Sequence, residues 1–165
     1  MDPPLVITNE NVSDIFANAI ADPTLLSNLD IENLITSLEN ERNDYLENKT
    51  LTGIADEIRN VFATSGIIQS VQDELCNKLY EYRLVDELHE LHKGKHVRWY
   101  RPEKQLLTNG GIVMDVKFTD NGTQVLCMSS GRRFIQYKFD DCITFQKMSM
   151  EEQLIVMAYQ HTNGD

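Results

Sequence analysis

The hydrophobic residues of this 165-residue chain change their spacing at Gly94. Before this glycine, apolar residues recur every three or four positions, which places them on one face of an α-helix. After it, apolar and polar residues alternate, as they do in a β-strand with one buried face. The two halves therefore predict different secondary structure, and we expect an α+β protein.

The N-terminal half, residues 1–92, predicts an acidic helical bundle. Its segments with helical spacing are 9–20, 31–46, 51–62 and 67–92. The last of these is the longest, and its apolar stripe runs from Ile68 to Leu91, as in the seam of a helical hairpin or coiled coil. Asp30 is expected to cap the second helix, and Gly94 is expected to end the long one.

The C-terminal half predicts short strands and a final helix. The alternating segments of residues 93–148 are 95–101, 112–118, 123–128, 132–138 and 142–147. Asp-Asn-Gly at 120–122 predicts a tight hairpin turn. We expect a small five-stranded, SH3-like antiparallel β-barrel, with an OB-like or open antiparallel sheet as alternatives. Ser149 and Glu152 form a capping box, which predicts a helix within residues 149–165.

The formal net charge of −11 is concentrated towards the N-terminus. Residues 1–80 hold 14 acidic and 4 basic residues, whereas residues 93–138 hold nine basic and three acidic ones. This asymmetry favours contacts between oppositely charged surfaces, either head to tail or with a partner. A solvated basic surface that keeps a small barrel soluble is the alternative explanation.

Several functional classes find no support in the sequence. No apolar run is long enough for a transmembrane helix, and the acidic start of the chain does not predict a signal peptide. Phosphate-binding loops, hydrolase elbows and zinc-protease motifs do not occur in the sequence. We therefore expect no enzymatic activity and no cofactor. Cys76, Cys127 and Cys142 are expected to be reduced, buried thiols in a cytosol-like compartment.

A cluster of three histidines, His89, His92 and His96, suggests a metal site. The first two would share a helix face, but His96 lies beyond Gly94, and a structural zinc site needs four ligands at tight spacings. We expect solvated histidines near a helix end instead, and no bound metal.

Two groups of residues are candidates for binding a partner. The first interleaves basic and aromatic side chains and comprises Arg98, Trp99, Tyr100, Arg101, Arg132 and Arg133. Such a surface can contact phosphates and stack bases, but the acidic chain would repel a polyanion, so a protein partner is preferred over nucleic acid. Trp99 could equally be a core residue. The second group is the part of the long helical seam that short helices cannot cover: Tyr82, Val85 and Leu88. It predicts self-association or contact with another chain.

The β half also carries a resemblance. Its motifs are KGKHVRWY at 93–100, GGIV at 110–113, RFIQ at 133–136 and FQK at 145–147. They resemble a module in uncharacterised small proteins of nucleocytoplasmic large DNA viruses, and the pattern is similar to Tudor-like and other SH3-like domains. The resemblance to the viral proteins implies a non-enzymatic minor capsid or scaffold protein, located in the virion and the cytoplasm of the infected cell. The methyl-ligand cage of Tudor domains is not carried over, because the aromatic residues are not expected to converge.

Overall fold

A computed structural model of the chain describes residues 31–162. Contacts divide these residues into two compact units, one formed by 31–54 with 148–162 and the other by 55–147. The predicted helix at 9–20 and the predicted cap at Asp30 lie outside the described residues. The sequence-based division at residues 92 and 148 stays a prediction.

The described residues form an α+β fold, as expected. The helices are α1 (Ile31–Glu39), α2 (Leu51–Thr64), α3 (Gln69–Lys78) and α4 (Met150–Thr162). The strands are β1 (Tyr82–Val85), β2 (His96–Arg101), β3 (Leu106–Leu107), β4 (Gly111–Thr119), β5 (Gly122–Met128), β6 (Phe134–Lys138) and β7 (Ile143–Lys147). Short 3-10 helices occur at Glu41–Leu46, Leu88–Glu90 and Phe139–Asp141. Within this part of the chain, no helix is both long and apolar enough to cross a bilayer.

The predicted capping box at the start of α4 is confirmed. The backbone N–H of Glu152 donates to Ser149 Oγ at 3.1 Å, and the backbone N–H of Ser149 donates to Glu152 Oε1 at 3.1 Å. The hydroxyl of Tyr45 donates to the other carboxylate oxygen of Glu152 at 2.7 Å. These bonds give hydrogen-bond partners to both oxygens of a side chain that is almost fully buried, as burial of a polar group requires.

The seven strands form one antiparallel sheet in the order β1-β7-β2-β4-β5-β6, with β3 paired to β2. The closed five-stranded barrel is wrong, since the sheet is open and β1 and β6 are its edges. The sheet nevertheless curls. The Tyr137 hydroxyl of β6 lies 2.9 Å from Thr144 Oγ1 of β7, although these two strands are four places apart in the strand order. β6 and β7 are not paired with each other. Phe139 and Cys142, which lie between these two strands in the chain, pack against the core cluster instead.

The predicted long helix at 67–92 is also wrong. Only its first part is helical, as α3, and Tyr82–Val85 forms β1, which pairs with β7 along its whole length. Glu81 takes a positive φ of 71° at the change of direction. The run Tyr82–Val85 is too short for its spacing to distinguish a helix from a strand, and pairing with β7 decides between the two.

Gly94 does not end a helix. It lies in the turn before β2 with φ 84°, and its backbone N–H donates to the carbonyl of Val113 at 2.8 Å. Glycine is favoured at this position because the backbone of the turn is left-handed, a conformation that is strained for residues with a side chain.

The two faces of the sheet differ in what covers them. One face holds a core cluster of Val97, Trp99, Val113, Val125, Cys127 and Tyr137. On the other face, Phe62 of α2 packs edge-on against Tyr100 of β2, with ring centroids 5.3 Å apart, and against Phe145 of β7 at 5.5 Å. The ring of Phe62 therefore covers this second face at β2 and β7.

Candidate functional site

The predicted basic and aromatic surface does not form, because its two aromatic rings are buried. Trp99 is 1% exposed and stacks on Tyr137 with ring centroids 4.1 Å apart. Tyr100 is buried beneath Phe62, and this burial raises the pKa of its hydroxyl. Neither ring can stack on a ligand, so the interpretation of Trp99 as a core aromatic is the one the structure supports.

The four arginines of that group are separated. Arg98 is half-buried, and its guanidinium donates to the carbonyl oxygens of Thr108 at 2.9 Å and Lys78 at 3.2 Å. Arg101 lines a cleft on another part of the sheet. Arg132 and Arg133 remain exposed side by side in the turn before β6.

The three seam residues lie in a strand and a short helix instead of on one helical stripe. Val85 is 4% exposed on β1, where it lies opposite Thr144 of β7. Tyr82 is half-buried and Leu88 is half-buried in a 3-10 helix. Val85 is therefore internal core, and the three residues do not form a helical seam.

The three histidines do not converge on a metal site. His89 is exposed beside Glu87, with Nδ1 and a carboxylate oxygen 3.2 Å apart. His96 Nδ1 lies 2.9 Å from the hydroxyl of Tyr82. Among the residues that the structure describes, no group of three or more histidine, cysteine or acidic side chains could hold a metal ion.

The cysteines are free thiols in the described structure, and Cys127 is buried as expected. Cys76 and Cys142 are only partly buried. Burial raises the pKa of Cys127 to about 12 and also raises the pKa of the other two thiols. A thiol with a raised pKa stays protonated near neutral pH and is a poor nucleophile.

A cleft of about 360 Å³ lies beside Cys142 and Arg101. Its charged lining mixes both signs, with Arg101, Lys104, Lys138, Glu103 and Asp141. No histidine lies in this lining, and its two carboxylates, Glu103 and Asp141, raise the pKa of the Cys142 thiol further.

A different surface carries exposed apolar side chains, and we call it the β4–β6 face. It comprises Ile112, Met114, Leu126, Met128 and Phe134. Phe134 is 64% exposed, Ile112 is 43% exposed and Met114 is 43% exposed, while Leu126 and Met128 are half-buried. Large apolar side chains gathered on one surface are characteristic of binding sites, whereas scattered ones are not.

The strand register brings these residues together. Ile112 of β4 lies opposite Met128 of β5, and Met128 lies opposite Phe134 of β6. Directly opposed side chains of an antiparallel pair are about 5 Å apart, so the three form one continuous row across the sheet. A β-bulge between Val113 and Asp115 adds Met114 to the exposed set.

Basic side chains border this row. Arg132 and Arg133 precede Phe134, and Lys117 and Lys138 lie further along, each paired with Gln124 of β5. All four basic side chains are exposed, and none forms an ion pair within residues 31–162. The β4–β6 face is thus an apolar patch with a positively charged border.

The acidic residue nearest the row, Asp115, is already paired. Its carboxylate accepts a hydrogen bond from the backbone N–H of Val116 and lies 3.3 Å from Lys93 Nζ. These two contacts lower the pKa of Asp115 below its usual value. Asp115 is therefore ionised at neutral pH and already neutralised by a lysine.

His96 extends the row on its other side, since it lies opposite Ile112. Burial lowers the pKa of its imidazole, and the nearby charges of Lys147 and Arg98 lower it further. The imidazole is therefore neutral at pH 7, and it adds hydrogen-bonding capacity to this edge of the row without adding charge.

The sequence interpretation missed most of the β4–β6 face. It recognised Arg132 and Arg133. Simple alternation along the predicted strand 112–118 gives Ile112, Met114, Val116 and Phe118 the same parity and so predicts that they share one face. The bulge in β4 breaks that alternation, so Val116 instead pairs with the buried Val125. The adjacent glycines at 110 and 111 marked the start of β4, but nothing in its apolar run marks the bulge.

Comparisons of this chain with protein-family models, with curated protein sequences and with solved structures found no match.

Proposed function

We propose that this chain is a non-enzymatic interaction protein that binds another protein through the β4–β6 face. The observation that carries the proposal is the row of Ile112, Met128 and Phe134, which is uncovered although it lies on a well-packed sheet. Leaving large apolar side chains in water forgoes about 1.5–3 kcal/mol each relative to full burial. A partner that covers the row would recover part of this free energy.

The resemblance of residues 94–152 to small viral proteins supports a biological setting for this function, namely the particle of a large DNA virus. In that setting the chain is a minor capsid or scaffold component of a large DNA virus, present in the virion and in the cytoplasm of the infected cell. Proteomics of purified virions tests the setting: the chain should be present in the particle. Its presence in infected-cell extract alone would contradict the proposal.

Nucleic acid is the second candidate, because Phe134 lies directly after Arg132 and Arg133. Single strands bind to grooves that offer several exposed aromatic rings between basic side chains. Here Trp99 and Tyr100 are buried, and the neighbours of Phe134 in the row are aliphatic. An aliphatic patch with a single ring fits a protein partner better than it fits stacked bases.

The experiment compares two full-length variants with the wild type in quantitative affinity capture. Phe134→Ser removes the most exposed member of the face, and Tyr80→Ser removes a residue that is 80% exposed in the turn between α3 and β1. We expect Phe134→Ser to lose the bound protein and Tyr80→Ser to retain it. Equal capture by all three proteins would contradict a role for the face.

A salt series with single- and double-stranded DNA separates the two candidates. Binding that depends on Arg132 and Arg133 and weakens steeply between about 50 and 200 mM salt would favour nucleic acid. We expect no such binding to either DNA at the lower salt concentration.

A further inference from the structure

We infer that two copies of this chain pair through the free edge of β6, antiparallel and about a two-fold axis, so that their sheets become continuous. The inference goes beyond the proposed function, because it assigns a partner to the edge of the sheet instead of to its face. It is argued from residues 122–140, all of which the structure describes.

The hydrogen-bonding pattern between β5 and β6 shows which backbone groups of β6 are free. The backbone N–H of Ser129 donates to the carbonyl of Arg133 at 2.8 Å, in register with the strand pair that follows. Hydrogen-bonded residues alternate along an antiparallel pair, so Ile135 and Tyr137 also bond to β5. The backbone groups that point away from β5 are those of Phe134, Gln136 and Lys138.

Within residues 31–162 this edge has no partner. β6 is an outer strand of the sheet, and no described residue hydrogen-bonds to the outward backbone groups of those three residues. Their side chains are exposed as well. An uncovered strand edge offers N–H and C=O groups that can pair with another strand.

The exposed residues along this edge extend beyond the strand at both ends. Arg132 precedes it, and Asp140 follows it in line, since a Cβ at Gly122 of β5 would lie 3.2 Å from Asp140 Oδ2. Neither forms an ion pair within the part of the chain that the structure describes. In chain order the exposed line is positive, aromatic, neutral, positive and negative: Arg132, Phe134, Gln136, Lys138 and Asp140.

This line is its own complement when it is reversed about Gln136. Arg132 of one copy then lies opposite Asp140 of the other, and Phe134 lies opposite Lys138, with each contact occurring twice. The Cα atoms of Phe134 and Lys138 would be about 5.5 Å apart, which allows a cation–π contact. A two-fold dimer requires such a self-complementary patch, because both copies use the same surface. The pattern therefore favours a second copy over an unrelated strand.

The backbone of Arg132 gives additional support. Its φ is 59°, a left-handed conformation that glycine adopts without strain. The turn thus holds a long charged side chain where a residue without one would fit more easily. An ion pair with Asp140 of a second copy gives this exposed side chain a role.

The test reverses one charge at a time in the full-length chain. Arg132→Asp places two carboxylates opposite each other at both ends of the contact, and Asp140→Arg places two cations there. Each variant should dimerise at least roughly tenfold more weakly than the wild type, because like charges repel across an interface. Lys117→Asp on β4 and Asp56→Arg on α2 are matched controls, which make the same charge changes on exposed residues away from β6.

Mixing the two variants should restore the dimer. In an equimolar mixture of Arg132→Asp and Asp140→Arg, opposite charges meet at both ends of the contact. The chain that carries both substitutions should also dimerise like the wild type. A substitution that merely distorted β6 would not be rescued in this way, and circular dichroism verifies that each variant is folded.

Sedimentation velocity and hydrogen exchange followed by NMR give the readouts. The edge of β6 is 5 residues long and buries less than the roughly 1,600 Å² of a stable complex, so concentrations up to about 1 mM are needed. The amides of Gln136 and Lys138 should exchange rapidly in the monomer and become protected as the dimer forms. The amide of Tyr137 should be protected throughout, since it bonds to β5.

Three results would overturn the inference. They are a wild type that stays monomeric up to about 1 mM, charge reversals that neither weaken the dimer nor restore it on mixing, and protected amides of Gln136 and Lys138 in the monomer. The last result would mean that the chain covers its own edge. The charge variants keep the row of Ile112, Met128 and Phe134, so affinity capture with Phe134→Ser tests the proposed function separately.

Discussion

At the scale of single residues, the stack of Trp99 on Tyr137 is the centre of the sheet core. The two rings are nearly parallel, with an interplanar angle of 14°, and both are buried. Burial raises the pKa of Tyr137, whose hydroxyl still bonds to Thr144. The stack therefore joins β2 to β6 across the concave side of the sheet.

Trp99→Ala should lower the free energy of unfolding by about 3–5 kcal/mol, because it leaves a cavity where the ring was buried. Phe134→Ala, which removes a ring from the exposed row, should change it by less than about 1 kcal/mol. Urea unfolding followed by circular dichroism measures both. Equal effects of the two substitutions would mean that Trp99 does not lie in the core.

His96 predicts a pH dependence of stability. Its pKa in the folded state is lowered below the ordinary value of 6.5, so the unfolded state binds more protons as the pH falls through that value. The contribution of neutral His96 to the free energy of unfolding is therefore fully present above about pH 6.5 and is lost as the pH decreases below it. His96→Gln should flatten this part of the stability profile.

The matched control is His89→Gln, since His89 is exposed on the surface. Denaturant unfolding at several pH values gives the profile, and NMR titration of the His96 ring gives its pKa directly. A measured pKa above 6.5, or an equal flattening in the control, would contradict the assignment.

At the scale of elements, the start of β4 depends on the absence of a side chain at Gly110. A Cβ there would lie 1.8 Å from the carbonyl oxygen of Val97, and the residue has φ 72°. Gly94 has a similar φ of 84°, but a Cβ there would meet nothing within 4 Å. Substitutions at the two glycines therefore distinguish the free-energy cost of a left-handed backbone from the additional cost of a steric clash.

Gly94→Ala should therefore destabilise the protein by about 1–2 kcal/mol, which is the cost of a left-handed backbone for alanine. Gly110→Ala should cost more than about 4 kcal/mol, because β2 and β4 must move apart. Thermal unfolding of the two variants checks the difference. Similar melting temperatures would show that the strands accommodate the added carbon.

At the scale of the whole molecule, charge controls how copies approach each other. The chain carries a formal net charge of −11 at pH 7, and its pI is about 4.7. Repulsion between copies should weaken as the carboxylates are protonated. The exposed β4–β6 face should then contribute increasingly to association.

Light scattering should show attraction between copies that increases as the pH is lowered towards the pI and reverses on return to neutral pH. Phe134→Ser should reduce this attraction, while Tyr80→Ser should not. An attraction that is independent of both pH and Phe134 would contradict this account. Circular dichroism of the same samples verifies that the protein is still folded.

Elements with local signals could be predicted from the amino-acid sequence. The helix at 51–62 appears as α2, the alternating segments appear as β2, β4, β5, β6 and β7, and the capping box begins α4. In each case the deciding interactions join residues a few positions apart, such as the two hydrogen bonds between Ser149 and Glu152. Arg132 and Arg133 were expected at the start of a strand on a binding surface, whereas the structure places both in the exposed turn before β6.

The remaining features depend on contacts between residues that are far apart in the chain. Residues 82–85 form a strand because they pair with β7, some sixty positions later in the chain, and the same pairing removes the predicted seam. Trp99 and Phe134 are both aromatic residues in strands, yet one is buried and the other is 64% exposed. The difference depends on which sheet face each occupies and what packs there. Local spacing carries no information about such distant contacts, because a residue's burial is set by the elements that cover it.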